Sequence, residues 1–315
     1  MSSSKTIPPS KALTILITGC SPGGMGAALA VAFHKAGYNV YATGRDLGKL
    51  SPLATQGITT LALDVTSAPS IASAVATVSA ALPPDRGLDM LVNNAAANYT
   101  MPVADASLDA AKAVFDVNVW AQLAVTQAFL PLLLRATTVS PSSGRRQEAL
   151  IVNHTSVGSR AALPFQGVYN ASKAALAMLS ETLRLEVAAF GLRVVDLKTA
   201  GVRTNLIANS NVNSSAADSL PAGSMYAPAR EVVEAAMSQQ ALVHRGIEPD
   251  VWAEDMAALL LGNWRGKPPP PVVWSGESVL LARLALAMPC NLFEGFVKKM
   301  TKLDVVEEII RESRK

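Results

Sequence analysis

Apolar positions along this chain follow two alternating rhythms. Short runs rich in β-branched residues have the length of buried strands, and longer stretches between them have helical spacing. Ala12–Thr18 reads as a first strand, Gly19–Gly26 as a glycine-rich turn and Ala27–Ala36 as a helix. Asn39–Thr43 and Gly57–Leu63 read as the second and third strands, joined by a short, weakly helical link over Leu47–Thr55. Ser67–Leu82 is alanine-rich and helical up to Pro83, and Asp89–Asn93 is a fourth strand. Leu108–Leu134 is apolar enough for one long helix, which Pro131 can bend. Beyond a polar loop at Ser140–Gln147, Ala149–Ser156 reads as strand five and Gly167–Phe190 as a helix. Leu192–Leu197 is then strand six and Pro270–Trp274 a seventh.

Strands alternating with helices predict an α/β fold, a single doubly wound, Rossmann-type parallel sheet of about seven strands with helices on both faces. The expected layout is a tail over 1–11, one catalytic domain over 12–275, and a helical C-terminal extension over 276–315 beyond the proline cluster Lys267–Pro271. Half of the 315 residues are apolar and 16% are charged, ample for a large buried core. A net charge of +3, with no basic run interleaved with aromatics, points away from nucleic acid.

Cys20 and Cys290 are far apart, and His34, His154 and His244 share no ligand spacing, so neither a disulfide framework nor a metal site is expected. The polar, proline-containing start has no signal-peptide pattern, and no uncharged run reaches the ~18 residues of a membrane span. A cytoplasmic protein is expected. The tail combines Val279, Leu280, Leu281, Leu284, Leu286 and Met288 with Lys298, Lys299 and Lys302. Such a segment suits peripheral contact with a membrane, at the endoplasmic reticulum or lipid droplets. The ordinary and favoured alternative is a helix packed on the domain or across a homo-oligomer, a dimer or tetramer.

The turn between the first strand and first helix reads Thr18-Gly19-Cys20-Ser21-Pro22-Gly23-Gly24-Met25-Gly26. Glycines there let backbone N–H groups and a helix N-terminus approach a pyrophosphate. At the end of the second strand, where an acid would accept from a ribose 2′-OH, the chain has Ala42-Thr43-Gly44-Arg45. The Arg45 guanidinium suits the 2′-phosphate of NADP(H), and pairing with Asp46 on a solvated loop is the plainer alternative.

Tyr169-Asn170-Ala171-Ser172-Lys173 opens a predicted helix, so Tyr169 and Lys173 share a face. A free phenol, with a pKa near ~10, is a poor base at neutral pH, and a neighbouring ammonium is expected to lower it. Ser156, at the end of strand five, is placed to hydrogen-bond a substrate oxygen. Ordinary packing or capping explains any one of these residues alone; their combination points to acid–base chemistry.

In these motifs the chain resembles the short-chain dehydrogenase/reductase family, from about Ala12 to Gly201. The likeness rests on the Thr18–Gly26 turn, Leu63-Asp64-Val65, Asn93-Asn94-Ala95-Ala96, Asn118, Ser156 and the Tyr169/Lys173 pair, in the family's order. It implies that Tyr169 is the general acid/base, that Ser156 orients the substrate, and that Lys173 binds the nicotinamide ribose. Asn118 would hold a water linking Lys173 to solvent. Gly19, Ser21, Gly24, Met25 and Gly26 would cradle the cofactor, with Asp64 and Val65 at adenine, Asn94 in the crevice, and Val202 and Thr204 at the carboxamide and phosphates.

The chain departs from the family pattern in an extra residue around Pro22-Gly23, in Ala96 where a glycine is usual, and in Ala200-Gly201 where Pro-Gly is usual. Within the family it resembles fungal-type NADPH-dependent 1-acyl-dihydroxyacetone-phosphate reductases, and also steroid and secondary-metabolite ketoreductases. The expected partner is a small carbonyl or alcohol substrate, with Thr204–Met225 as a lid and Leu163, Phe165 and Gln166 lining a pocket. A non-redox isomerase, cyclase or dehydratase and a non-catalytic dinucleotide-binding protein remain the competing readings.

Overall fold

A computed structural model describes residues 13–137, 148–205, 219–240, 245–287 and 293–315. The N-terminal tail, the polar loop at Ser140–Gln147, most of the expected lid, His244, Met288 and Cys290 lie outside the described residues.

The strands are β1 (Thr14–Ile17), β2 (Asn39–Gly44), β3 (Thr59–Ala62), β4 (Met90–Asn93), β5 (Ala149–Ser156), β6 (Leu192–Thr199) and β7 (Val272–Ser275). They pair in parallel in the order β3-β2-β1-β4-β5-β6-β7. The winding reverses between β1 and β4. In such a sheet a ligand crevice opens outside the carboxyl ends of the strands at that point.

Successive strand residues face opposite sides, and both sides are apolar, because helices cover both. One core joins Ile15, Ile17, Val92, Val152 and Leu197 to α1 (Met25–Lys35) and to α8 (Pro249–Leu261), through Leu29, Phe33, Trp252 and Leu260. The other joins Leu16, Leu91, Ile151 and Val194 to α3 (Ala68–Ala81) and α5 (Ala121–Ala136), through Ile71, Phe129 and Leu133. The remaining helices are α2 (Leu47–Ala54), α4 (Leu108–Phe115), α6 (Gly167–Val187), α7 (Arg230–Met237), α9 (Val279–Ala287), α10 (Glu294–Thr301) and α11 (Leu303–Ser313).

Two features depart from the sequence reading. The long helix is not uniform: Asp116–Trp120 is a π-helical turn between α4 and α5, whereas Pro131 sits inside α5 without ending it. By length and composition Leu108–Ala136 passes as a membrane span, yet half of its apolar window is buried inside the protein, as in a core helix. The second departure is α7 and α8, which lie where no element was expected. The signal for α8 was present: Trp252, Ala253, Met256, Ala257, Leu260 and Leu261 recur with helical spacing behind Pro249, and all are buried.

A third apolar cluster sits beyond the strand ends, where Tyr99, Met101, Phe165, Val233 and Met237 meet Leu303, Val306, Ile309 and Ile310 of α11. The last helix of the C-terminal extension therefore packs on the protein. On α9, Leu280 and Leu284 are exposed.

Candidate active site

The glycine turn is stitched to the end of β4. The Thr18 hydroxyl accepts from the N–H groups of Asn94 and Ala95 at 2.9 and 3.0 Å. Gly19 has φ +73°, and a Cβ there would lie 2.7 Å from Ala95 Cα. A Cβ on Gly26 would lie 2.5 Å from Asn94 Nδ2 and 2.6 Å from the Gly19 oxygen. Side chains are excluded at both positions by backbone or by a fixed amide. Helix α1 begins at Met25, with Gly24 in the cap position, no side-chain cap and no acid in the first turn. Its first N–H groups are orphan donors at the positive end of the helix dipole. This cradle fits a dinucleotide pyrophosphate.

The extra residue has a structural use. Asn205 closes over Pro22-Gly23, donating from Nδ2 to the Pro22 oxygen at 3.1 Å and from its N–H to the Gly23 oxygen at 3.3 Å. The Ser21 carbonyl accepts from Gly24 N–H at 3.1 Å, which tightens the turn. Val202 pairs with Ile247 in an isolated bridge, and Thr204 is half-buried one residue before Asn205.

At the other end of the crevice, Arg45 is exposed immediately after β2. Asp46 caps α2, its Oδ1 accepting from Gly48 N–H at 2.8 Å, so it has a role without Arg45. Asp64 Oδ1 accepts from the Thr66 hydroxyl and N–H at 2.7 and 2.9 Å. Those bonds, with a smaller contribution from the Arg45 charge, hold the Asp64 carboxyl below its usual range. The Val65 side chain turns into the second core.

Ser156 ends β5, and its Oγ accepts from Gly158 N–H at 3.1 Å. Its hydroxyl also lies close enough to act on the Tyr169 phenol, which stands in the first turn of α6. Lys173 follows one helical turn later on the same face, its Nζ 5.8 Å from the centre of the Tyr169 ring. Tyr169, Ser156 and Lys173 therefore converge. The electrostatics differ from the sequence expectation. Burial raises the Tyr169 phenol above its ordinary value, and the nearby Ser156 hydroxyl opposes that rise. Lys173 Nζ donates to the His154 carbonyl at 2.9 Å. Burial in turn lowers Lys173 to about 8, with the Asp196 carboxylate opposing.

Asn118 lies in the π-helical turn and is fully buried. Its Oδ1 accepts from Ala97 N–H at 2.8 Å, and Nδ2 donates to the Ala97 oxygen and to Ser172 Oγ, each at 2.9 Å. Its side chain thus ties the Asn93–Ala97 segment to α6 and is fully occupied in doing so. Gln122 donates to the Val117 oxygen at 2.9 Å, satisfying a carbonyl within the widened turn.

Sequence reasoning set His154 aside, yet it braces the crevice from below. Asn94 Nδ2 donates to the Thr18 and Gly19 oxygens, so Asn94 Oδ1 must accept from His154 Nδ1 at 2.9 Å. That fixes the tautomer: Nδ1 carries the proton, and Nε2 accepts from the Thr199 hydroxyl at 2.6 Å. The ring stacks on Trp252, 5.4 Å between centroids and 7° from parallel. Burial, with a lesser push from Lys173, depresses His154 to about 3, which keeps it neutral. No sequence spacing marks this residue; its partners come together through β4 and β6 on either side of β5 and through α8.

Of the residues expected to line a pocket, Phe165 is buried in the third cluster with φ +65°, while Leu163 and Gln166 are half-buried. Among the described residues no group of His, Cys, Asp or Glu is arranged to hold a metal.

A family model for short chain dehydrogenases matches residues 13–215. A short-chain dehydrogenase/reductase of Pestalotiopsis microspora is 45% identical over 95% of this chain and 97% of its own length. The NADPH-dependent 1-acyldihydroxyacetone phosphate reductase of Schizosaccharomyces pombe is 32% identical, over 92% of this chain and 94% of that one. Among solved structures, a short-chain dehydrogenase from Streptomyces avermitilis superposes with a TM-score of 0.68 at 24% identity, covering 95% of this chain and 98% of that one. One from Burkholderia cenocepacia, in complex with NADP, gives 0.65 at 20% identity over 92% and 99% of the two chains. At such identities these two structures speak to the fold.

Proposed function

This chain belongs to the short-chain dehydrogenase/reductase family of oxidoreductases, and from that premise we propose that it interconverts a ketone and a secondary alcohol with NADP(H). The observation that carries the proposal is the convergence of the Ser156 hydroxyl and the Tyr169 phenol, with Lys173 one turn along α6 on the same face. A phenol held neutral by burial is suited to donate its proton to a carbonyl oxygen as that oxygen gains charge. Ser156 donates its hydroxyl proton to the same oxygen. When bound, NADPH supplies the hydride that reduces the carbonyl carbon.

Within this reading Gly19, Ser21, Gly24, Met25 and Gly26 hold the pyrophosphate through the turn and the α1 N-terminus. Lys173 binds the nicotinamide ribose, and Asn118 positions Lys173's side of the crevice through Ser172 and Ala97. Asp64 and Val65 serve adenine, Asn94 shapes the crevice, and Val202 and Thr204 meet the carboxamide and phosphates. Arg45 favours NADP(H) over NAD(H), because its exposed guanidinium stands where a 2′-phosphate is read. The S. pombe relative acts on 1-acyldihydroxyacetone phosphate. That likeness and the third, apolar cluster support an acylated or otherwise hydrophobic ketone as substrate.

The test is consumption of NADPH by the purified protein against acyl-dihydroxyacetone phosphate, steroid and polyketide ketones, with NADH as control. Reduction of one class with an NADPH preference is expected. Conversion of a substrate with no NADPH consumed would replace the proposal with a non-redox isomerase, cyclase or dehydratase. Cofactor binding without any conversion would replace it with a non-catalytic dinucleotide-binding protein.

A further inference from the structure

Behind the crevice β6 carries an ion pair that the chemistry above does not use. Asp196 and Lys198 stand two apart on the same face of the strand, with side chains 7% and 5% exposed. Lys198 Nζ donates to Asp196 Oδ2 at 2.5 Å and to Ser159 Oγ at 2.9 Å, and it lies 5.8 Å from the centre of the Trp274 ring. The second carboxylate oxygen, Oδ1, accepts from the Thr155 hydroxyl. Every charged atom in the cluster has a hydrogen-bond partner.

Such a cluster is a poor device for stability alone. Removing two charges from water costs several kcal/mol for each, and well-packed apolar residues of similar size commonly do as well or better. Its position suggests another use. Thr155, which holds Asp196, directly follows His154, whose carbonyl receives the Lys173 ammonium. Carboxylate and ammonium thus meet the two halves of one dipeptide of β5, and the carboxylate is the end of the pair that Lys173 feels.

We propose that Asp196, fixed by Thr155 and Lys198, is a positioning residue for Lys173: its carboxylate supplies the negative potential that keeps the buried ammonium charged against the cofactor crevice. Its neighbours leave Asp196 as the source of that potential. On β5 the facing titratable group is His154, which is neutral, and on α6 itself it is Tyr169, also neutral. The π-helical turn presents Asn118, while its Asp116 faces solvent, as do Asp109 and Lys112 of α4. The turn Val157–Ser159 brings no charge. Lys198 is the remaining cation, and it is turned toward Ser159 and Trp274. Burial pulls Lys173 down to about 8, close enough to working pH that the loss of one nearby carboxylate changes its charge.

This inference rests on Lys173 facing a bound cofactor but not on turnover, so the readout is NADPH binding, followed by protein–cofactor fluorescence across pH 6–9. Wild-type affinity is expected to weaken as pH rises through about 8. Asp196→Asn/Lys198→Met removes the pair without changing net charge. It should move that weakening to lower pH, giving on the order of threefold or more poorer binding than wild type at pH 8 and equal binding at pH 6. Asp196→Glu retains a carboxylate and should keep the wild-type midpoint even where its thermal stability falls. A double variant whose affinity is lower by the same factor at every pH marks a structural pair only and overturns the proposal. So does wild-type affinity that is flat over the range. Failure of every ketone to react, with the shift intact, would instead remove the proposed reaction and leave the role of Asp196 standing.

Discussion

Gly26→Ala sets two known tendencies against each other, and the geometry decides between them. In an unconstrained helix this change favours the alanine by roughly 0.5–1 kcal/mol, through backbone entropy and helix propensity. Here the new Cβ would fall 2.5 Å from Asn94 Nδ2 and 2.6 Å from the Gly19 oxygen, where 3.4 Å begins ordinary contact. Neither neighbour is a free side-chain end. Gly19 is backbone at the centre of the turn, and the Asn94 amide is held by bonds to the Thr18 and Gly19 oxygens at 2.9 and 3.0 Å. Relief requires α1 to move off the turn or Asn94 to swing away. The first route is overpacking, at about 1–3 kcal/mol. The second breaks both hydrogen bonds of a half-buried amide, again about 1–3 kcal/mol. Either exceeds the propensity gain.

The variant should therefore melt at lower temperature than wild type. It should also bind NADPH at least about tenfold more weakly, since about 1.4 kcal/mol lost at the cradle is tenfold in affinity. Thermal denaturation without cofactor and a fluorescence titration with NADPH separate the two effects. An alanine variant that is more stable than wild type and binds NADPH unchanged would refute the account of the turn.

Two further outcomes follow from named groups. Arg45→Ala should weaken NADPH binding roughly tenfold to a hundredfold by loss of charge-assisted hydrogen bonds, and leave NADH binding unchanged; equal losses for both cofactors would remove the 2′-phosphate assignment. His154 is held near 3 in the folded protein against about 6.5 when unfolded, so the unfolded state takes up the proton first as pH falls. Its contribution is complete above pH 6.5 and is lost below it, by about 2 kcal/mol at pH 5. His154→Gln should flatten the dependence of melting temperature on pH between 6.5 and 5, and a slope as steep as wild type's would assign the effect to other groups.

The sheet was legible because each strand is a short apolar run between turn signals, and all seven appear within a few residues of where the pattern puts them. The strand ends were less so. β6 continues through Lys198 and Thr199, whose polar side chains end the apolar run although both are buried. Tyr169, Lys173 and Ser156 could be read from local spacing and strand position. Their electrostatic environment could not, since it depends on which strand lies beside which. Lys173 spends its hydrogen bond on a β5 carbonyl, and the Tyr169 phenol answers to burial and Ser156. The same holds for His154 with Thr199 and Trp252, which lie 45 and 98 positions beyond it along the chain yet give it one hydrogen bond and one stack. Asn118 was singled out only through the family resemblance, and the π-helical turn that buries it carries no glycine or proline to announce it.

The most direct measurement is turnover of Tyr169→Phe beside its affinity for NADPH. Removing one hydroxyl from a partly buried ring should leave the cofactor dissociation constant within about twofold of wild type. Loss of the acid/base should lower kcat by roughly 10²–10⁴-fold on whichever ketone the wild-type protein reduces. Turnover close to wild type in that variant would contradict the claim that this phenol moves the proton.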